Sequence, residues 1–587
     1  MVGRLNRPGV TPGVGGTRQN GTVYLLASRT GNGEILVTAL DAAGAPTAPA
    51  ERLTQLDFPA FVAAREPAGP RWVWDDTSRW SPALLAAGIR VRRCHDLRLC
   101  HAILRGSELT RESELAGRAP GRWDRAAALE AAVPQGATLF DLASGDDEPA
   151  DDDTMAEFLS QLQAVASCPE PGRLRLLLAA ESVGALIAAE MQFAGLPWRT
   201  DIHDRLLTAE LGPRVAHGTR PERLEQLAGR IRGELDDQVF NLDSQQELLK
   251  ALQRSGLMAT STRAWELKKL EHPVIEPLLE YKKLARLLSA NGWYWMDTWI
   301  VDGRFHPEYV PGAATTGRWG ASGGGPLQLP RQVRGAVVAD EGWKLVVADA
   351  AQLEPRILAA LSADTAMAAA GRDTDLYAGI VASGVVETRD QAKVAMLGAM
   401  YGATTGESGR LLPRLARAYP RALGLTEAAA RAGERGDIVT TRLGRSSPRP
   451  GESWQATQAQ AYDPAASDGD ERRARSQARD WGRFTRNFVV QGSAAEWALC
   501  WMAEVRKELW SLRGTEAPDR PAAFAATPHL VFFLHDEVIV HTPVALAGEV
   551  EQIITRAAAT AGRLLFGDFP VDFLLTAATV DSYAEAK

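Results

Sequence analysis

Residues 532–543 read FFLHDEVIVHTP. Phe532 to Leu534 and Val538 to Val540 are aromatic or β-branched enough to be the arms of a hairpin buried in a sheet, yet His535, Asp536 and Glu537 stand between them. Acids there are either the solvated tip of an ordinary hairpin or half of a metal site. The second reading needs another acid at the end of another buried strand. KLVVADAAQLEPRILAALS, residues 344–362, supplies one: a β-branched run ends at Asp349, and a helix is expected from Pro355, where a missing N–H does no harm. If the strand of Leu345 to Ala348 lies beside the hairpin, Asp349 and Asp536 converge at one sheet edge. Such a pair suits Mg²⁺, which takes oxygen ligands and keeps positions for water or phosphate. Two such ions can serve the attacking and leaving oxygens of an in-line phosphoryl transfer.

A third stretch points the same way. In RDQAKVAMLGAMYG, residues 389–402, Arg389, Lys393, Leu397 and Tyr401 recur every fourth position, one slowly drifting stripe on a helix ending at Gly402. Two cations one turn apart can hold a triphosphate, and the apolar residue and the ring can meet a sugar and a base. A solvated basic face would account for the cations but poorly for the tyrosine.

The 587 residues suggest three or four domains. No apolar stretch approaches the ~18 residues that span a membrane, the opening MVGRLNRPGVTPGVGGTRQNG has no signal-peptide core, and four scattered cysteines fit a reducing compartment. The net charge of −8 argues against a coat of nucleic acid but permits a local basic groove. Residues 410–486 carry fifteen arginines and no lysine against nine acids, the asymmetry expected of a polyanion contact. Residues 21–44 read as a hairpin around Gly31 and Gly33 opening a compact α/β unit; the acidic run 145–153 reads as a linker; 174–300 reads as helix, with Asn241 and Ser244 as cap candidates.

Taken together, DAAQLEPR (349–356), RDQAKVAMLGAMYG and HDE (535–537) resemble motifs A, B and C of family A DNA polymerases, in family order. The likeness extends to HPVIEPLLEYKKLARL (272–287), TTGRW (315–319), PLQLPR (326–331) and RFTRNFVVQGSAAE (483–496), and covers residues 175–587. It implies an α+β and α/β multidomain fold, a right hand of palm, fingers and thumb behind an exonuclease-like domain related to RNase H. The boundaries expected are a tail over 1–20, the exonuclease-like domain over 21–170, thumb over 171–300, palm over 301–365, fingers over 366–480 and palm again over 481–587. The resemblance further implies that Asp349, Asp536 and the Ala350 carbonyl bind two Mg²⁺ ions, which Mn²⁺ can replace, with Glu537 beside them and His535 near the primer end. Arg389 and Lys393 would hold the incoming triphosphate, Lys393 also counting as catalytic, with Gln352, Leu397 and Tyr401 around the nucleotide and Glu354 as the steric gate that selects deoxyribose. Arg318, Arg483, Asn487 and Gln491 offer donors to the DNA; minor-groove acceptors are nearly common to all correct pairs, so such donors test pairing without reading sequence. The implied partners are primer-template DNA and dNTPs, with no membrane, for a monomer in the cytoplasm near the nucleoid and with no 5′ nuclease domain ahead of it.

Two departures stand out. Ala350 and Ala351 follow the first aspartate where the family has Tyr-Ser, and Leu397 replaces the usual ring. The N-terminal domain occupies the proofreading position without its acids: the first D-x-E is Asp146 to Glu148, in the acidic run, and Asp152 or Asp153 could echo one family acid at most. CHDLRLCH, residues 94–101, offers Cys94, His95, Cys100 and His101 at spacings foreign to zinc fingers, so buried thiols are the expectation. The rivals to a DNA polymerase without proofreading are one with residual exonuclease, a single-subunit RNA polymerase, against which Glu354 speaks, and a non-catalytic DNA-binding relative.

Overall fold

The computed structural model describes residues 22–125, 153–237, 239–403, 406–461, 463–464, 466–514 and 522–586. The expected tail, the first D-x-E and Asp152 lie outside the described residues. Near the N-terminus the apolar runs form β1 (Tyr24–Arg29) and β2 (Ile35–Leu40), antiparallel from Tyr24↔Leu40 to Arg29↔Ile35 around Gly33 at φ 83°. β3 (Glu51–Leu53) pairs with β2, while β4 (Arg71–Trp74) runs parallel to β1 and β5 (Cys94–Asp96) parallel to β4. The order is β3-β2-β1-β4-β5. Alternation gives each face its own core, Leu25, Ala27, Trp72 and Trp74 on one side and Leu26, Val73 and Phe158 on the other. Helices α1 (Thr77–Ala86), α2 (Leu97–Gly106) and α3 (Asp153–Ser167) complete the unit. Cys94 lies on β5 and Cys100 on α2, both buried, and burial pushes the Cys94 thiol up to about 12. His95 shares a hydrogen bond with Gln161 (2.8 Å) and a longer contact with Cys100 (3.8 Å), Cys94 and Cys100 both reach Ser182, and His101 shares a hydrogen bond with Glu157 (2.8 Å).

The long α4 (Pro171–Ala194) joins this unit to the rest. Its Glu190 accepts from Arg90 of the N-terminal unit (3.0 and 3.1 Å) and from Arg506 of the C-terminal half (2.8 and 2.9 Å). Arg506 also donates to the Val91 and Arg92 carbonyls, so one buried ion cluster clamps the two halves. The tract after α4 is helical as expected. Ser244 caps α5 (Gln245–Arg254), whereas Asn241 caps nothing and accepts from the Asp243 N–H within its own loop. α6 (Ile275–Asn291) carries the HPVIEPLLEYKKLARL segment.

The second sheet is antiparallel throughout, in the order β7-β8-β6-β9 with β6 (Trp343–Ala350), β7 (His529–Leu534), β8 (Glu537–Pro543) and β9 (Leu575–Val580). Leu345, Val347 and Ile539 pack on the helical tract; Val346, Ala348, Val538 and Val540 pack on the opposite layer. Burial on both faces explains the nearly unbroken apolar runs. The helix after β6, α7 (Leu353–Leu361), begins two residues before the expected Pro355. Gln352 at φ 50° turns the chain, and Pro355 falls third, still among positions whose N–H lacks a helical partner. Next come α8 (Leu376–Ala382), α9 (Arg389–Tyr401), capped by Thr388 and closed by Gly402 at φ 75°, α10 (Pro420–Glu434), α11 (Glu452–Ala461) and α12 (Asp468–Leu509). The Ser467–Asp470 capping box starts α12, which spans 42 residues.

Candidate active site

β6 and β8 pair from Trp343↔Pro543 to Asp349↔Glu537, which sets the Asp349 strand end beside the hairpin tip. The Ala350 N–H donates to the Asp536 carbonyl at 2.9 Å, tying the two acid-bearing segments together. Only His535 and Asp536 link β7 to β8, and His535 has φ 60°. A positive φ at the first of two central residues is the mark of a type II′ turn, normally given to glycine. Gln352, across the same edge, is also left-handed, and such conformations cost about 1–3 kcal/mol and gather at functional sites. Tyr309 pins the strand before the turn: its hydroxyl donates to the Phe533 carbonyl (2.6 Å) and accepts from the Phe533 N–H (2.9 Å). Asp349 and Asp536 are half-buried; Glu537 is buried, held by Tyr583 and 3.8 Å from Arg334.

Asp536 and His535 border a cavity of about 550 Å³ whose other walls include Arg318, Glu354, Leu397 and Tyr401. Its floor is α12 through Ala494, Ala495 and Ala498. Glu354 is bridged on both sides, to Arg318 by one carboxylate oxygen and to the Tyr401 hydroxyl (2.6 Å) by the other. Burial and the Glu354 charge push the Tyr401 hydroxyl well above its ordinary range, so it stays a donor. Burial, helped by Arg318, lowers the His535 imidazole, which is therefore neutral at pH 7.

The α9 stripe forms as the spacing predicts, but its cations differ in state. Arg389 donates to Asp375 (2.8 and 3.3 Å) and lies over the Tyr377 ring at 5.5 Å. Against the effect of burial, the Arg389 hydrogen bond holds the Asp375 carboxyl below its usual range. Gln352 donates to the same carboxylate at 3.1 Å, so Asp375 joins the turn after β6 to the start of α9. Lys393 is exposed, with no ion pair among the described residues. Arg356, the last residue of DAAQLEPR, is buried and donates to the Ala351, Gly371, Thr374 and Asp572 carbonyls, bracing the turn from beneath.

Arg483, Asn487 and Gln491 follow one another along α12 toward the cavity floor, and Arg483 lies against Gly402 at the C-terminal end of α9. Of the residues singled out in the sequence, Arg318, Gln352, Glu354, Leu397, Tyr401, His535 and Asp536 line this one cavity. Sequence reasoning missed Asp375, Tyr377, Tyr309 and Arg356; only the last stood in a quoted motif. It also missed three aspartates in the N-terminal unit, Asp75 and Asp76 just past β4 and Asp96 at the end of β5, because a D-x-E within a strand was the pattern sought.

Among the described residues no group of three His, Cys, Asp or Glu side chains gathers to hold a metal ion. The donor set at the strand edge, two carboxylates and nearby backbone carbonyls, is all oxygen, which fits a hard cation completing its shell with water or phosphate.

The sequence profile of DNA polymerase family A matches residues 216–572. Thermostable DNA polymerase I of Thermus filiformis is 25% identical over 414 residues, covering 61% of this chain and 45% of that one. The Thermus aquaticus enzyme is 26% identical over 355 residues, 53% of this chain and 38% of that one. The chain thus spans less than half the length of these curated relatives. Among solved structures, the POL domain of Pol1 from M. smegmatis, in complex with DNA primer-template and dNTP, superposes with a TM-score of 0.64 at 19% identity, covering 96% of each chain.

Proposed function

The chain belongs to DNA polymerase family A, and from that premise we propose that it is a template-directed DNA polymerase, a nucleotidyltransferase that extends a primer with deoxynucleotides. The observation that carries the reading is the cavity in which the Asp536 turn, tied to the Asp349 strand end, faces the Leu397–Tyr401 end of α9. In the reaction the primer 3′-oxygen bonds to the α-phosphorus of a dNTP, the bond to the bridging oxygen breaks, and pyrophosphate leaves. Asp349, Asp536 and the Ala350 carbonyl are the oxygens that would hold two Mg²⁺ ions, with Mn²⁺ as a substitute. When bound, such ions supply charge stabilisation to the attacking and leaving oxygens. Lys393 offers the leaving phosphates an exposed ammonium, and Arg389 offers the N–H groups that Asp375 leaves open. Gln352 keeps Asp375 and the turn after β6 in place.

Glu354, clamped by Arg318 and Tyr401, cannot swing aside, so it stands as a fixed wall against a 2′-hydroxyl. Tyr401 presents its ring to the nascent base pair, and Leu397 packs against the sugar. Neutral His535 can hydrogen-bond near the primer terminus without adding charge, and Glu537, held by Tyr583, supports the Asp349 strand end from the facing strand. Arg318, Arg483, Asn487 and Gln491 form a row of donors for the minor-groove edge. We assign the thumb to 171–300, palm to 301–365 and 481–587, and fingers to 366–480. The exonuclease-like unit of 21–170 acts as a packing partner of the palm, a reading supported by the Glu190 clamp. We read it as a monomeric cytoplasmic enzyme of DNA replication or repair; among the described residues no helix is long and apolar enough to cross a membrane. The test is extension of a labelled primer-template with Mg²⁺ and either dNTPs or rNTPs. Extension by dNTPs alone is the expected result; extension by rNTPs at equal efficiency would point to an RNA polymerase, and none at all to a scaffold.

A further inference from the structure

Arg318 reaches Glu354 from a glycine-bent loop, and a second arginine lies behind that loop. The short strands Glu308–Val310 and Gly320–Gly323 pair antiparallel. Between them the Ala314 N–H donates to the Arg318 carbonyl (3.1 Å) and the Gly317 N–H to the Ala314 carbonyl (2.8 Å), while Gly312 and Gly317 bend the chain at φ 68° and 83°. Arg445 lies against Gly317: a Cβ there would fall 2.6 Å from its Nε and 2.8 Å from its Cζ, so the guanidinium takes the room that the missing side chain leaves. Gly317 and Arg318 line the cavity, whereas Arg445 is not among its walls and its side chain is only 11% exposed. One oxygen of buried Glu181 on α4 meets Arg445 at 2.7 Å. The other faces Gly312, 3.1 Å from where a Cβ would stand, so the ion pair supports both bends of the loop that delivers Arg318. Arg445 is held in turn by its own surroundings. The Thr441 N–H donates to the Arg445 carbonyl (2.8 Å) and the Arg445 N–H to Thr441 Oγ1 (2.9 Å). From the N-terminal unit, Ser107 Oγ donates to the Gly444 carbonyl (2.6 Å) and the Glu108 N–H to Ser446 Oγ (2.9 Å), so both neighbours of Arg445 are tied to that unit.

We propose that Arg445 is a positioning residue for sugar selection: seated by Glu181 and by Ser107 and Glu108 of the N-terminal unit, it fixes the Gly317 turn so that Arg318 clamps Glu354 against a 2′-hydroxyl. This rests on the polymerase reading and on Glu354 as its gate. A planar guanidinium suits the task, because its flat face lies on Gly317 while its N–H edge bonds Glu181. A carboxylate wall discriminates only while it stays put, and a displacement of about 1 Å is enough to undo such a fit. The N-terminal unit thereby contributes to the nucleotide site without chemistry of its own.

The test measures kcat/KM for rNTP and dNTP on one primer-template with the wild-type protein, Arg445→Gln, Arg445→Lys and Ser107→Ala, each also in a Glu354→Ala background. Arg445→Gln should raise the rNTP-over-dNTP ratio about ten-fold, and Arg445→Lys, which keeps the charge opposite Glu181, only about three-fold. Ser107→Ala touches no buried charge and leaves the fold standing; it should also raise the ratio about three-fold, and it decides alone if Arg445→Gln does not fold. In the Glu354→Ala background each change should move the ratio by less than about 1.5-fold, because the wall being positioned is gone. A merely structural Arg445 would lower both rates together. An unmoved ratio, or a shift of equal size with and without Glu354, overturns the inference. So does a ratio that Glu354→Ala itself leaves unchanged, since Arg445 would then have nothing to position. These outcomes all leave dNTP extension in place; a wild-type protein that extends no primer overturns the polymerase reading itself.

Discussion

Of the four sheets among the described residues, the two larger ones carry aspartates at their strand ends, and the two sets stand in different surroundings. Past β4 and β5, Asp75 accepts from Arg79 (2.7 Å) and the Trp80 indole (2.6 Å), and Asp76 caps α1 through Ser78 N–H (2.9 Å) and pairs with Arg98 (2.6 Å). Asp96 caps α2 through Leu99 N–H (3.0 Å) and accepts from Thr77 N–H (2.7 Å). Burial and the nearby Asp76 charge push the Asp96 carboxyl up, and local donors surround all three. On the second sheet, Asp536 borders a cavity large enough for a nucleotide, and exposed Lys393 stands on the helix that walls it. A carboxylate at a strand end is thus no signature by itself; what matters is whether it borders a cavity that a substrate can enter.

The sharpest way to break this contrast is to remove acids from each sheet in turn. Asp349→Ala or Asp536→Ala should lower single-turnover extension by about a thousand-fold or more, with primer-template affinity nearly unchanged, since the cations proposed to bind phosphate remain. Asp76→Ala should leave extension within about two-fold and cost roughly 1–2 kcal/mol of stability, the loss of a helix cap and an ion pair. Near wild-type extension by either palm variant would erase the distinction.

The next effect concerns what the N-terminal unit is for. Glu190→Ala strands Arg90 and Arg506 in the seam, and losing one member of a buried ion cluster costs about 3–5 kcal/mol. Chemical denaturation should show that loss, with the N-terminal unit released first. If stability is unchanged, the clamp does not hold the halves together.

Two buried glutamates of the same scaffold then offer a comparison in pH. Burial would raise Glu190, but Arg506 and Arg90 bring it down to about 2, so its contribution is present above pH 4.5 and lost as pH falls toward 2. Glu496 sits beneath the cavity floor, hydrogen-bonded by Thr441 and by the Leu443 N–H (2.8 Å), and burial pushes it up to about 7. It keeps its proton in the fold while the unfolded chain loses it, so stability is full below pH 4.5 and falls as pH rises from about 4.5 to 7. Glu496→Gln should remove up to roughly 3 kcal/mol of that decline. A melting-temperature difference between variant and wild type that stays constant across this window would show that Glu496 ionises normally.

A smaller change is expected at Glu354, the proposed gate. Glu354→Ala removes the wall and unclamps Tyr401 and Arg318, and the ratio of kcat/KM for rNTP over dNTP should rise about ten- to a hundred-fold. A constant ratio would assign sugar selection to another residue.

How much was legible in advance follows from the range of each interaction. The hairpin of 532–543, the strand ending at Asp349 and the stripe on α9 are local patterns of period two or four, and each formed where the sequence places it. Their convergence at one edge was legible only as a condition, because the Asp349↔Glu537 register joins distant strands. Asp375 was invisible: fourteen residues before Arg389, it looks like the helix cap that it also is. The Glu190–Arg506 and Tyr309–Phe533 contacts span 316 and 224 residues, beyond any sequence period. The start of α7 was misplaced by two residues because Pro355 was taken as the first helical position, when a left-handed Gln352 makes the turn instead. The N-terminal aspartates escaped notice because none of them belongs to a D-x-E: Asp75 and Asp76 stand just past β4 and Asp96 ends β5.

The most direct measurement uses one substrate, an end-labelled primer with a mismatched 3′ nucleotide on a template, with Mg²⁺ or Mn²⁺, first without and then with dNTPs. If the palm acids work and the N-terminal acids are structural, the primer is not shortened without dNTPs and is extended with them, slowly past the mismatch and readily from a matched control. Shortening that persists in the Asp349→Ala, Asp536→Ala protein and disappears on changing Asp75, Asp76 and Asp96 would contradict the contrast between the two sheets.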